Sequence, residues 1–517
     1  MRFTPHLLHT QMKFFGPRRK KLKRISLVAF ASLLPAATLF SQHEHHGRVL
    51  QDTLRAVERI SPAAQDTMKA TPLRQQVSEG SHSHGAPGMS SAFFADLPMQ
   101  RDGSGTSWHP DTSPMNCIHS QVGTWRIMFH GAAFPRFTSQ DAFKSGRRGA
   151  SKFSVPAWLM VMAQRRLDKR SQLMLRGMFT PEPLTEGGRG YPLLFQTGEA
   201  YEGRPLIDRQ HPHDLFAEMA VAYVYTLPDT MELFAYFGLP GEPALGPPAF
   251  MHRPSAQHIP GPPIAHHWQD ATHITFGVAT FGLRHQNLKL DGSIFTGREP
   301  NAERYGFDHP RFDSYSFRLS ANPSPHWALQ VSKAFLKSPA ELVPWEDQYR
   351  TTASVIYNQP LRNKGNWSTT LVWGLNELAN EQNPPSQSQS AGLFKPSQLS
   401  RIQHGSVAGK LHSCLLESDL DFGKQAFYTR FEWIQKTALD LGVTLVGRRD
   451  LAINALTLGT AREVITCGGL QLMVGGQSTW HLVPKEIRFA YGRFPVAFNV
   501  YLRLGPKRTE MRHDAGH

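Results

Sequence analysis

The segment LIDRQHPHDLF, residues 206–216, gathers ionisable side chains directly before an apolar run. It contains Asp208, Arg209, His211, His213 and Asp214. Imidazole and carboxylate groups bind transition metals, and a histidine beside an aspartate can also act as a general base. The same groups can form a hydrogen-bonded scaffold. The segment alone therefore leaves three interpretations open: a metal site, a catalytic group or a structural polar cluster.

A second group of such residues ends the long Pro- and Gly-rich stretch that begins near residue 239. Imidazole, carboxylate and thioether groups at one place can coordinate a transition metal, although Arg–Asp pairs and histidine hydrogen bonds could equally hold a loop in position. Together the two segments provide the following candidate metal ligands, called here the rim candidates: His211, His213, Asp214, Met251, His252, His266, His267, Asp270 and His273.

Residues 42–115 have a different composition, with many Ser, Gly, Gln and Pro residues and little material for a core. This predicts a mostly disordered, His-rich periplasmic tail. Clustered imidazoles and thioethers suit copper or another transition-metal ion, but a tail that binds nothing is the alternative. No cofactor is required by the sequence. The tail candidates for metal binding are His43, His45, His46, His82, His84 and Met89.

Residues 1–41 have the pattern of an export signal. Eight Lys and Arg residues without any acidic residue precede the apolar run ISLVAFASLLPAATLF and the small residue Ser41. This order predicts a cleaved signal peptide and a mature chain that starts near Gln42, with an uncleaved anchor as the alternative. The segment also carries much of the net charge of +15. The remaining charge forms no basic block, so nucleic acid is not an expected partner.

From residue 120 onward, apolar and polar side chains alternate with a period of two. In SYSFRLSA, Tyr315, Phe317 and Leu319 share one face, whereas Ser316 and Arg318 share the other. Such alternation predicts strands with one apolar and one polar face. Charged residues on the polar face of strands about ten residues long indicate a transmembrane barrel with a wet lumen.

The connections between these strands alternate between short and long, as in outer-membrane barrels. The long ones are predicted at 181–212, 239–271, 296–312, 337–348 and 378–404. We therefore predict an all-β fold, a transmembrane antiparallel β-barrel of roughly sixteen strands over residues 116–504, followed by a C-terminal tail, 505–517. A sandwich or propeller is the alternative. The Pro and Gly content of the stretch after residue 239 predicts a fixed loop folded over or into the mouth.

Four segments carry a family resemblance: LIDRQHPHDLF, GLPGEPALGPPAFMHR, HHWQDATHITFGV and TGREP. They resemble the shared segments of a largely uncharacterised family of exported β-barrel proteins from Gram-negative bacteria. Those proteins tend to carry a His/Met-rich N-terminal tail, and some are associated with copper or other heavy-metal resistance. The resemblance implies an outer-membrane location and a metal context, and it supplies no catalytic residues.

The sequence thus predicts an outer-membrane channel or transport component, with a role in metal handling, copper above all. Diffusion through a polar lumen, narrowed by the loop after residue 239, is the expected mechanism. The expected partners are outer-membrane lipid and small solutes or metal ions, and the oligomeric state is left open. No catalytic motif is recognised, so an enzyme is not expected. The alternatives are a periplasmic metal-binding β protein without a pore and a barrel-borne hydrolase.

Overall fold

The computed structural model describes residues 90–228, 231–381, 409–446 and 449–508. The predicted signal peptide lies outside these residues, as do the tail candidates His43, His45, His46, His82, His84 and Met89. The last part of the predicted C-terminal tail, 509–517, also lies outside them.

The described chain forms a closed antiparallel barrel with sixteen wall strands. The first half of the wall contains β1 (Cys117–Val122), β2 (Trp125–Ala133), β3 (Arg136–Ser139), β4 (Ser151–Ser154), β5 (Ala157–Arg166), β6 (Ser171–Phe179), β11 (Phe216–Thr226), β12 (Met231–Gly238), β13 (Val278–His285) and β14 (Leu288–Phe295). The loop after β6 holds four short strands, β7 (Tyr191–Pro192), β8 (Glu199–Tyr201), β9 (Arg204–Leu206) and β10 (Arg209–Gln210). The second half of the wall contains β15 (Ser314–Ser324), β16 (Trp327–Leu336), β17 (Glu346–Pro360), β18 (Asn366–Glu381), β19 (Lys410–Phe422), β20 (Gln425–Thr437), β21 (Asp450–Cys467), β22 (Leu470–Leu482) and β23 (Val496–Pro506).

Two wall strands are interrupted near their middle. Pro135 separates β2 from β3, and Pro156 separates β4 from β5. A proline has no backbone N–H to donate to the sheet, so the hydrogen-bond ladder breaks at both places. The segments β2 and β3 still act as one wall strand, and β4 and β5 act as the next. The pairing shows this, because β2 pairs with β5 and β3 pairs with β4.

The barrel closes between its last and first strands. Residue pairs from Phe498↔Ser139 to Tyr501↔Arg136 join β23 to β3. Further along the same edge, β2 pairs instead with β1, from Cys117↔His130 to Val122↔Trp125. The segment β1 therefore continues the line of β23, and the start of the barrel domain completes its final strand.

The side chains show which face of the sheet meets lipid. In β15, Tyr315, Phe317 and Leu319 are 47%, 61% and 53% exposed, whereas Ser316 and Arg318 are 0% and 1% exposed. Apolar side chains thus point outward and polar ones into the barrel, as in transmembrane barrels. The predicted fold is confirmed, and a single closed sheet replaces the alternative of two packed sheets.

The connections alternate in length as predicted. Residues 167–170, 286–287, 423–424 and 468–469 form short turns at one end, whereas 180–215, 239–277 and 296–313 form long connections at the other. Short turns mark the periplasmic side of such barrels. The strand β23 ends at Pro506, slightly beyond the predicted boundary at residue 504.

Among the described residues, helices are short and lie in the connections between strands or in residues 90–115. The α-helical turns are Glu182–Thr185, His266–Gln269 and Arg488–Tyr491, and the 3-10 turns are Met99–Arg101, Phe250–His252, Pro254–Ala256, Ala271–His273, Thr444–Val446 and Lys485–Ile487. Within the described ranges, no helix is long and apolar enough to cross a membrane.

Residues 90–115, here called the N-terminal segment, are ordered inside the barrel. Phe93, Phe94 and Trp108 are buried. The ring of Phe94 makes edge contacts with Trp108 at 6.1 Å and with Phe234 of the wall at 5.7 Å. The predicted disordered tail, 42–115, is therefore wrong for residues 90–115. A few aromatic side chains anchor this segment. The prediction of disorder was based on the polar composition of the whole stretch, in which these aromatic residues are few.

The long connection between β12 and β13, residues 239–277, also lies inside the barrel, and most of its residues are buried. We call it the lumen loop. Its fully buried Arg253 donates from Nη1 to Asp270 at 2.6 Å and from Nε to Glu417 of the wall at 2.8 Å. Sequence analysis predicted that this loop narrows the mouth. In the structure it shares the lumen with the N-terminal segment, so two chain segments occupy the interior of the barrel.

Candidate metal centre

Five histidines meet inside the barrel where two long connections approach each other. His211 and His213 come from the connection that precedes β11, and His266, His267 and His273 end the lumen loop. The ring centroids of His213 and His273 are 5.3 Å apart, and those of His266 and His273 are 5.1 Å apart. The two sequence segments that carry most of the rim candidates are therefore neighbours, and they are buried within the lumen.

Three of these rings form a compact cluster, here called the three-histidine cluster. One ring nitrogen from each of His213, His266 and His273 lies within 4.8 Å of the others. A set of imidazole nitrogens at this spacing has the dimensions of a metal site, since zinc binds imidazole nitrogen at about 2.0–2.1 Å.

Each ring of the three-histidine cluster is held through Nδ1. The Nδ1 atom of His213 lies 2.9 Å from Glu182 Oε2, and that of His266 lies 2.7 Å from Asp270 Oδ1. The Nδ1 atom of His273 lies 2.8 Å from the backbone oxygen of Asp270. A carboxylate or carbonyl oxygen accepts a hydrogen bond, so each Nδ1 donates and Nε2 is the nitrogen left for a ligand.

The Nε2 atoms of His213 and His273 are buried without a hydrogen-bond partner in the part of the chain that the structure describes. A buried polar atom without a partner costs about 1–3 kcal/mol. A cation bound between the rings would remove this cost for both nitrogens. Two unpaired nitrogens in one compact cluster therefore favour the metal interpretation over a fully hydrogen-bonded scaffold.

The local sequence explains how the rings are positioned. His266 begins a single helical turn, and Asp270 caps it by donating its backbone N–H to the backbone oxygen of His266 at 3.0 Å. Residues four apart on a helical turn face each other, which brings the Asp270 carboxylate to the His266 ring. Glu182 starts the helical turn in the connection after β6 and accepts from both the backbone N–H and the ring of His213 at 2.9 Å.

The electrostatic environment differs among the three rings. Burial lowers the pKa of His266, and burial together with the neighbouring rings of His266 and His213 lowers the pKa of His273 well below its ordinary value. These directions favour the neutral form that a metal ligand needs. Burial opposes charge on His213 as well, but Glu182 outweighs it and raises the pKa of that ring. Glu182 thus favours positive charge at His213, and a metal ion bound there would take the place of the ring proton.

A second group, formed by Glu199, His211 and His267, adjoins the first. The Nε2 atom of His211 lies 2.9 Å from Glu199 Oε1, and Nδ1 of His267 lies 3.1 Å from Glu299 Oε1. Burial lowers the pKa of both rings to about 4. Glu199 Oε2 also lies 3.8 Å from Arg304 Nη2. Within the described residues, Nε2 of His267 is also buried without a hydrogen-bond partner. The other ring nitrogens that face Glu199 and Glu299 are engaged by these carboxylates, so this group fits the scaffold interpretation better than the three-histidine cluster does.

The remaining rim candidates take other positions. Asp214 pairs with Arg304 at 3.2 Å, and burial raises the pKa of its carboxyl group to about 6. Asp270 orients two rings of the three-histidine cluster and pairs with Arg253. Met251 and His252 do not join the five histidines. They line a cavity of about 100 Å³ that His213 also borders, and the ring of His252 lies 4.6 Å from that of Trp158.

Sequence analysis missed three carboxylates that matter here, Glu182, Glu199 and Glu299. They lie in long connections without periodicity, and nothing in the spacing links them to the histidines. It also missed His258, whose Nδ1 atom lies 2.7 Å from Asp419 of the wall. The alternation of Asp419 and Asp421 in β19 was the available signal, because residues two apart share a face of a strand.

Two of the five histidines line cavities. Towards the long connections, His267, Glu299 and Arg350 line a cavity of about 200 Å³. His213 and Glu182 line the cavity of about 100 Å³ that is also lined by Met251 and His252. Each cavity is therefore bordered by a different one of the five rings.

The chain is similar in fold to solved outer-membrane proteins. OmpF of Salmonella typhi, solved in complex with daunomycin, is 8% identical over 75% of this chain and 100% of its own, with a TM-score of 0.43. An anion-selective porin from Comamonas acidovorans is 10% identical over 74% of this chain and 99% of its own, with a TM-score of 0.39. OmpT, an outer membrane protein of Vibrio cholerae, is 7% identical over 75% and 99%, with a TM-score of 0.38.

No protein-family model matches the chain, and no curated protein sequence matches it. The family resemblance noted in the sequence therefore stays a prediction. At these TM-scores the fold assignment depends on the strand pairing within the chain itself.

Proposed function

We propose that the protein is an outer-membrane transport component that binds a transition-metal cation inside its barrel, with the three-histidine cluster as the binding site. The observation that carries this proposal is the convergence of three buried imidazoles whose Nδ1 atoms are already engaged. Metal-binding histidines in proteins are oriented in this way, by a carboxylate or carbonyl oxygen on the second ring nitrogen.

The donor set indicates the class of metal. Neutral imidazoles suit zinc, copper, nickel and related ions, and three protein ligands leave a further position open for water or a solute. An open position allows an ion to arrive and leave, as transport requires. This extends the sequence prediction of copper handling to borderline divalent ions in general.

The two cavities support a route through the site. His267 lines the cavity towards the long connections, and His213 lines the other cavity. An ion that passes from one cavity to the other by way of these two rings would meet the three-histidine cluster. The predicted mechanism was diffusion through a polar lumen narrowed by the loop, and in the structure the N-terminal segment as well as the lumen loop occupies that lumen.

The tail candidates would serve as a first capture site on the periplasmic side, as the sequence suggests. The protein is further proposed not to be an enzyme. Glu182 and Asp270 are engaged with imidazole N–H groups, and within the described ranges no Ser, Thr or Cys side chain bonds to the three rings. Among the described residues, these histidines therefore have no adjacent hydroxyl or thiol that they could activate as a nucleophile.

A titration of the purified full-length protein in detergent with Co²⁺, Zn²⁺ and Cu²⁺ tests the proposal. The variant His273→Asn removes Nε2 while its amide can still donate to the Asp270 carbonyl. His481→Asn is the matched control, because the buried Nδ1 atom of His481 also bonds to a backbone oxygen, that of Pro495, at 3.0 Å. We expect His273→Asn to lose binding at least tenfold and the control to bind as the natural protein does. Equal binding by both variants would overturn the proposal.

A further inference from the structure

The cavity of about 100 Å³ beside the barrel wall has an unusual lining for the interior of an outer-membrane barrel. We call it the methionine chamber. Six methionines from three parts of the chain line it: Met128, Met160 and Met162 from the wall, Met99 and Met115 from the N-terminal segment and Met251 from the lumen loop. The lumen face of such a barrel is ordinarily polar, so this concentration of sulfur needs an explanation.

Strand register explains how the wall residues meet. Met128 of β2 is directly opposite Met162 of β5, and His130 is directly opposite Met160. Residues two apart on a strand share a face, so these four side chains form one patch on the lumen face. Opposite residues in an antiparallel pair have Cβ atoms about 4.5–5.5 Å apart. The three sulfurs and the imidazole are therefore near neighbours.

A second imidazole approaches this patch from the lumen loop. The ring centroid of His252 lies 5.9 Å from that of His130. In the part of the chain that the structure describes, neither ring makes a hydrogen bond.

We propose that the methionine chamber binds a soft monovalent cation, Cu⁺ or Ag⁺, through thioether sulfurs and the imidazole nitrogens of His130 and His252. Soft ligands select soft cations. Thioethers are uncharged, so the net charge of the occupied site equals the charge of the bound ion. Divalent hard ions prefer oxygen ligands, and the two carboxylates on these walls, Asp102 and Glu182, are already engaged by Ser91 and His213. The proposal does not depend on the three-histidine cluster, since the two sites share no ligand.

Methionine also fills irregular gaps in protein cores. If gap filling were the role of these methionines, we would expect no cavity between their side chains. The volume of about 100 Å³ exceeds the roughly 30 Å³ that one water occupies in the liquid. Several methionines and, among the described residues, two imidazoles without hydrogen bonds border this void. Both imidazoles also pack against Trp158, at 4.8 Å for His130 and 4.6 Å for His252, but packing alone does not require an imidazole at either position.

The test uses Ag⁺ as the probe, because it needs no reductant, with the full-length protein in detergent and a chloride-free nitrate buffer. The Ag⁺ retained per chain is measured by elemental analysis after desalting. The test variant replaces Met128, Met160 and Met162 by Leu, which conserves volume. The control replaces Met219, Met231 and Met473 by Leu, three methionines that do not line the chamber. Cysteines and the His-rich tail are common to all three proteins.

We expect the test variant to retain about one Ag⁺ fewer per chain, and the control to match the natural protein. Equal retention by the test variant, with an unchanged thermal midpoint, would overturn the proposal and assign the methionines to packing. If the triple variant does not fold, His252→Asn and Met162→Leu are measured singly, and each should weaken Ag⁺ binding at least tenfold. Ag⁺ binding in His273→Asn should equal that of the natural protein, which separates this test from that of the three-histidine cluster.

Discussion

The Nδ1 atom of His266 lies 2.7 Å from Oδ1 of Asp270, four residues later in the chain. The second carboxylate oxygen of Asp270 lies 2.6 Å from Nη1 of Arg253, which also binds the wall residue Glu417. One carboxylate therefore both anchors the lumen loop and orients a proposed metal ligand. This arrangement joins the scaffold and metal interpretations, which the sequence analysis treated as alternatives.

The shared carboxylate makes Asp270→Asn a test of both roles. The substitution removes the negative charge that faces Arg253 and His266, and it leaves a single amide oxygen, so the two carboxylate oxygens that now serve Arg253 and His266 separately are no longer both present. We expect zinc affinity to fall 10- to 100-fold, as for other lost partners of metal-binding histidines. The free energy of unfolding should fall by about 3–5 kcal/mol, because Arg253 loses a buried partner. Zinc titration and thermal unfolding measure the two effects, and Asp168→Asn in an exposed turn is the control.

The variant Glu182→Gln tests how Glu182 supports metal binding by His213 without disrupting the fold of the barrel. The amide keeps an oxygen that can accept from the imidazole but removes the negative charge beside the cluster. We therefore expect zinc affinity to fall about tenfold while the barrel stays folded. An unchanged zinc affinity would show that His213 does not bind the ion with the help of Glu182.

Glu242 of the lumen loop should make stability depend on pH. Burial raises the pKa of its carboxyl group to about 8, with Glu218 adding to the effect and Arg318 and Arg176 opposing it. The folded protein then holds a proton that the unfolded chain loses near its ordinary pKa. The contribution is fully present below that ordinary value, and it is lost as the pH rises through about 8.

The variant Glu242→Gln should remove this dependence. Relative to the natural protein, we expect it to be more stable at pH 8.5 by on the order of a few kcal/mol and nearly unchanged at pH 4. Thermal unfolding in detergent at the two pH values measures the difference. A stability gap that does not change between the two pH values would contradict the assignment.

The N-terminal segment should stabilise the barrel from inside. Phe94 is buried against Trp108 and Phe234, so Phe94→Ala leaves a cavity and should cost about 3–5 kcal/mol. Phe281 is a suitable control, because its side chain points to lipid and is 68% exposed. In detergent, Phe281→Ala should shift the thermal midpoint much less. Equal shifts for both variants would argue against an ordered segment in the lumen.

The wall of the barrel could be predicted from the sequence because the alternation of apolar and polar residues is visible within each strand. Tyr315, Phe317 and Leu319 alternate with polar residues, and a period of two defines which face meets lipid wherever the strand lies. The N-terminal segment could not be predicted, because Phe93, Phe94 and Trp108 are isolated in a polar stretch. Their burial depends on contacts with wall residues far along the chain, such as Phe234.

The histidines of the candidate site could be predicted from the sequence, but the carboxylate that orients His213 could not. The histidines and Asp270 are concentrated in two short segments, and the parity of the strands places those segments on one side. Glu182 comes from a third connection, and only the folded chain shows that it meets His213. Met251 and His252 are close in sequence to the other candidates, but the 3-10 turn that holds them faces the methionine chamber.

X-ray absorption at the zinc edge of the zinc-loaded protein tests the central claim most directly. The account predicts three imidazole nitrogens at about 2.0–2.1 Å, with one of them lost in His273→Asn. A zinc ion surrounded by oxygen ligands alone, or an imidazole count that does not change in His273→Asn, would contradict it.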